Sequence, residues 1–160
     1  MGLTSREYVL KLLNVTAQSL GISYTKQTPT TLQIWANDNQ GAFVANVSIK
    51  PSRTPINKGL DYITFTVGLF FVVSRDYDIT EEEKTKQENE ADKLASNFLY
   101  LLKQNEHTET ELEGDLDSIF REGGYLGLGM AGVYTISLPD RDDYCDLFCN
   151  TATKDVSCDS

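Results

Sequence analysis

Tyr62-Ile-Thr-Phe-Thr-Val-Gly-Leu-Phe-Phe-Val-Val-Ser74 decides the fold. Ile63, Phe65, Val67, Leu69, Phe71 and Val73 alternate, so a strand places all six on one face. β-Branched and aromatic side chains dominate, as a pleated, half-buried surface prefers. The opposite face opens mixed, with Tyr62, Thr64, Thr66 and Gly68, and turns apolar at Phe70 and Val72. One face seeds a core. The other needs a cover at its far end, from another element of the chain or from another molecule. At about 3.3 Å per residue the strand spans roughly 43 Å, longer than the common strand.

Upstream, Thr4-Ser-Arg-Glu7 is a capping box, with Leu3 and Tyr8 at the hydrophobic-staple positions. Val9, Leu12, Leu13, Thr16, Ala17 and Leu20 follow at helical spacing, and Gly21 stops the helix. Residues 22–26 read as a short strand. Residues 31–36, with Leu32, Ile34 and Ala36 on one face, and residues 42–49 read as a β-hairpin across the turn Asn37-Asp-Asn-Gln-Gly41. Residues 51–61 carry Pro51, Pro55 and Gly59 beside Arg53 and Lys58, with Lys50 just before them. This is a loop, either a solvated connection or a docking loop for an acidic neighbour.

Downstream, Thr80-Glu-Glu-Glu83 is a second capping box, and its acids suit the positive end of a helix dipole. That helix runs to about residue 105, roughly 37 Å at 1.5 Å per residue. Ala91, Leu94, Ala95, Phe98, Leu99 and Leu102 form an apolar stripe. Residues 81–90 are polar, steadied by pairs such as Glu82 with Lys86, and either project into solvent or reach over a neighbouring subunit. Residues 106–117 read as an acidic connection carrying His107. Residues 123–132 are glycine-rich, and residues 133–138 form a closing strand. Strands come as a run rather than alternating with helices. The expectation is therefore α+β, an antiparallel sheet of about four to five strands packed against an N-terminal helix and one long helix. Residues 1–138 form a single domain, and residues 139–160 an acidic tail with Cys145, Cys149 and Cys158.

The chain has 160 residues and a net charge of −10. One domain of this size buries a core without disulfides or metals. The charge disfavours nucleic acid and anionic membrane surfaces as binding partners. No apolar run is long enough to cross a membrane, and no signal peptide is expected. An odd number of cysteines argues against a disulfide framework and for reduced thiols made inside a cell.

Gly127-Leu-Gly129-Met-Ala-Gly132 matches G-x-G-x-x-G, but it leads into a strand where a dinucleotide site needs a helix. A bent approach to the last strand is the plainer reading. The three cysteines fall short of the four ligands of a structural zinc site. Carboxylates are plentiful, yet no spacing singles out a catalytic pair, and His107 lies in a polar stretch without a nucleophile motif. No catalytic residue, cofactor or metal is therefore expected. Trp35 either packs under a helix or faces an interface.

The order of elements over residues 4–138 resembles the tail-terminator and tail-completion proteins of tailed bacteriophages, whose relatives build the neck between portal and tail. The resemblance rests on residues 4–20, 31–49, 62–74, 80–105 and 133–138. It implies a structural, non-enzymatic protein of the virion neck or tail, assembled in the host cytoplasm. Such subunits form hexamer or dodecamer rings that join adjacent portal, neck or tail rings, with DNA passing through the lumen without specific binding. The candidate interface residues are Trp35, Arg53, Lys58, Phe70, Val72, Glu82 and Lys86. The alternative is an acidic intracellular binding or inhibitor protein that mimics nucleic-acid charge. A small α+β enzyme using loop carboxylates and a metal is a third class.

Overall fold

β3 (Tyr62–Ser74) is the middle strand of a five-stranded mixed sheet in a computed structural model that describes residues 2–39, 41–54, 61–74, 79–119 and 127–145. β2 (Phe43–Thr54) and β5 (Leu128–Pro139) pair antiparallel with β3 along nearly its whole length. β1 (Ser23–Lys26) adds to β2 in parallel, and β4 (Glu109–Ser118) adds to β5 antiparallel. The order is β1-β2-β3-β5-β4. The fold is α+β.

Alternation along β3 works as its sequence dictates. Ile63, Phe65, Val67, Leu69 and Phe71 are all buried beneath α1 (Ser5–Ser19) and α3 (Glu81–Lys103). α1 contributes Tyr8, Val9, Leu12, Leu13 and Ala17 to that core, and α3 contributes Ala95, Phe98 and Leu102. Phe98 meets Phe71 edge-on at 5.3 Å. The caps form as well: Thr4 Oγ1 accepts from Glu7 N while Glu7 Oε1 accepts from Thr4 N. At α3 only half of the expected capping box forms: Thr80 Oγ1 accepts from Glu83 N, but the Glu83 side chain makes no return bond to Thr80 N.

The expected hairpin does not form. Residues 31–36 lie in a helix, α2 (Pro29–Asn37). Two local signals outweigh the alternation of Leu32, Ile34 and Ala36. Pro29 stands at the first helical position, where its missing N–H costs nothing. Thr28 caps the helix, exchanging hydrogen bonds with Thr31. α2 then lies on the second face of the sheet. Leu32 and Ala36 pack with Phe43, Ala45 and Val72, while Ile34 points away and is exposed.

This placement corrects the reading of Phe70 and Val72 as surface awaiting a neighbour. Val72 is fully buried and Phe70 is half-buried, and the cover is α2 of the same chain. Of the expected loop over residues 51–61, residues 51–54 belong to β2, which runs on to Thr54 opposite Tyr62; residues 55–60 lie outside the described residues. β4 occupies most of the stretch read as an acidic connection. β5 begins at Leu128, inside the glycine-rich run, where Gly129 is required by close approach. A Cβ there would stand 1.9 Å from the Phe71 carbonyl oxygen.

The chain after Pro139, expected to be a tail, docks back on the domain as far as residue 145. Leu3 N donates to Tyr144 O and Tyr144 N to Leu3 O, at 2.8 and 3.0 Å. Tyr144 is buried against Tyr8, with ring centroids 4.6 Å apart. Arg141 N donates to Ser5 Oγ at 2.9 Å, which fastens the start of α1 to the same segment.

Candidate interaction surface

α2 covers only one end of the second sheet face. Beyond it the strand registers align three rows of side chains. These are Ser48–Gly68–Val133–Glu113, Lys50–Thr66–Thr135–Glu111 and Ser52–Thr64–Ser137–Glu109. A bulge at Val47 sets the phase, moving β2 from apolar Phe43 and Ala45 to polar Ser48 and Lys50 on this face. Among the described residues no helix lies over these rows. Val133 is 45% exposed and Tyr62 39%. Thr64 and Ser137 hydroxyls bond each other at 2.8 Å across β3 and β5. The result is a hydroxyl-rich face with a cation on one side and carboxylates on the other.

The sheet ends are equally open. β1 pairs with β2 only over Phe43, Val44, Ala45 and Asn46. Residues 48–54 of β2 therefore have no strand on their outer side among the described residues. β4 pairs with β5 alone. Its acids Glu109, Glu111, Glu113 and Asp117 share the open face, while Thr110, Leu112 and Leu116 face α3. A second irregularity, with Gly114 at φ +70°, ends the regular edge after Glu113. Sequence reading missed this strand because its exposed face is wholly acidic. The signal was the period-two alternation of acid with Thr110 and Leu112.

Between α3 and β4 lies a groove of about 540 Å³. Leu112, Leu116 and Met130 supply its apolar lining, and Glu88, Asp92 and Asp115 its acids. Nearby, burial pushes the Tyr134 hydroxyl up to about 12, and Asp92 adds to the shift. A cleft of about 350 Å³ beside α2 is lined by Arg6, Lys26, Thr28 and Asn46 among others. Tyr24 Oη and Asn46 Nδ2 are buried without a well-formed hydrogen bond. Burial raises Tyr24 to about 12, against the opposing pull of the Asn46 amide.

The expected interface residues scatter. Trp35 is half-buried and packs edge-on against Phe43 at 5.0 Å. Arg53 reaches Asp140, with Nε donating to Oδ2 at 2.8 Å. This hydrogen bond holds the Asp140 carboxyl below its usual range. Lys58 lies outside the described residues. Glu82 and Lys86 are both exposed near the start of α3, and no ion pair joins them among the described residues. Of the six that are described, only Arg53 belongs to the open edge of β2, and Lys50 on the same strand points to the open face.

Among the described residues no group of three or more His, Cys, Asp or Glu side chains could hold a metal ion. His107 packs edge-on between Tyr8 and Tyr144, at 6.1 and 6.0 Å. Cys145, expected as a thiol, is disulfide-bonded; Cys149 and Cys158 lie outside the described residues. No helix among the described residues is long and apolar enough to cross a membrane. No family model matches this chain, and no curated protein matches it significantly.

Proposed function

We propose that this chain is a structural, non-enzymatic subunit of a ring in the portal–tail assembly of a tailed bacteriophage. The observation that carries the reading is the half-covered sheet. α2 shields one end of the second face, and the three polar rows beyond it stay open. A subunit that completes itself on association leaves such a surface. Its polar character suits a chain that must stay dispersed before it assembles. The order of elements resembles that of tail-terminator and tail-completion proteins, and the net charge of −10 suits a lumen through which DNA slides by repulsion.

Negative-stain images of the purified full chain test this reading. Closed rings of six or twelve subunits around a central channel are expected. Single particles of one-subunit size at every concentration would contradict it.

One observation favours a second reading. Glu109, Glu111 and Glu113 recur at every second residue along the exposed face of β4, a short regular array of negative charge. An inhibitor that mimics nucleic acid would use such an array against a basic protein. Salt-sensitive one-to-one binding to such a protein, with no ring formation, would select this alternative.

A further inference from the structure

We infer that copies of this chain join head to tail through their sheet edges. β4 of one copy lies antiparallel beside residues 48–53 of β2 in the next, with Glu111 opposite Lys50. The inference deepens the ring reading and rests on it for the closed form of the assembly.

Strand direction permits the join. β2, β3, β5 and β4 alternate in direction, each antiparallel to its neighbour. β4 therefore runs opposite to β2, and a second copy's β2 placed beside it continues the alternation. Residues 48–54 of β2 and the outer side of β4 lack a strand partner among the described residues, while β1 occupies the β2 edge at Phe43–Asn46 and bounds the join there; unpaired backbone groups on an edge are a template for another strand.

Register and charge choose the match. Lys50 and Glu111 lie in the same row of one sheet, joined through Thr66 and Thr135. Repeating the sheet without stagger sets Glu111 against Lys50 of the next copy, Glu113 against Ser48 and Glu109 against Ser52. Opposite charges facing across antiparallel strands attract, and like charges repel. The other two pairs place a hydroxyl donor beside a carboxylate. The irregularity after Glu113 limits the paired edge to about five residues. Pro51 removes one backbone donor from the β2 side, so the join relies on side-chain pairs as well as the ladder.

A second copy fits better than an unrelated basic strand because the two edges complement each other within one chain. The contact is heterologous, the kind that generates rings when its rotation closes. The competing account of β4 is that its carboxylates only protect an edge from pairing.

Charge reversal separates the two accounts. Lys50→Glu and Glu111→Lys each set like charges against each other at every join. The double variant restores attraction with the signs exchanged. Lys50 and Glu111 are both exposed and lie at opposite sides of the sheet, so each variant should keep the wild-type circular dichroism and melting profile. Light scattering across a dilution series is expected to show the half-assembly concentration rising about tenfold or more for each single variant and returning towards wild type for the double. Single variants that assemble like wild type, or a double variant no better than the singles, would overturn the edge pairing while leaving the ring reading intact. A wild-type chain that never assembles would overturn both.

Discussion

Single residues divide by which side of the sheet their strand position gives them. Val72 and Thr66 share one face of β3, yet Val72 is fully buried under α2 and Thr66 lies on the open face. Val72→Asp should therefore unfold the chain or destabilise it by about 3 kcal/mol or more, because an unpaired carboxylate would enter a closed core. Urea denaturation followed by circular dichroism checks this. A folded but unassembled Val72→Asp chain would mean that the face is an interface after all. Asp140 gives a pH-dependent case. The Arg53 hydrogen bond lowers its folded pKa, so its contribution is present above the unfolded value, near 3.9, and is lost as pH falls through the folded one. Arg53 is largely exposed and Asp140 partly so, so solvent screens the pair and the effect is small. Asp140→Asn should lower stability slightly at neutral pH and converge with wild type near pH 2, as read from melting temperatures at each pH.

At the scale of elements, the helix α2 closes one end of the second sheet face. Thr28→Ala removes its N-cap and should cost about 1 kcal/mol of stability by chemical denaturation. A neutral result would show that packing alone holds α2. This helix was legible in Thr28-Pro29-Thr30-Thr31, but the alternation of Leu32, Ile34 and Ala36 suggested a strand. Six residues fit both periods when Trp35 sits among them, and only the cap and the proline separate the two. α1, β3 and α3 were legible because each couples a long periodic pattern to either a cap or a dense apolar run. β4 was not, since the chain's net acidity hid its alternation. The candidate surface was legible only in fragments. Lys50 and Glu111 are 61 positions apart in sequence, and the row that joins them exists only once β3 and β5 set the registers. The docking of Tyr144 on Tyr8 was equally invisible, because an isolated tyrosine in an acidic segment carries no period.

The whole molecule combines an inner core with an unfinished outer sheet. One face is sealed by α1 and α3, the second is sealed at one end by α2, and two edges of opposite local charge remain. In the proposed join, copies of this acidic chain repel one another in general and attract at one matched contact, Glu111 with Lys50. The most direct measurement is the solution mass of the full chain by light scattering at low salt, from about micromolar upward. The predicted result is a species of six or twelve copies of the 17.9 kDa chain, reached without intermediate plateaus. A mass of one chain at every concentration would contradict the account.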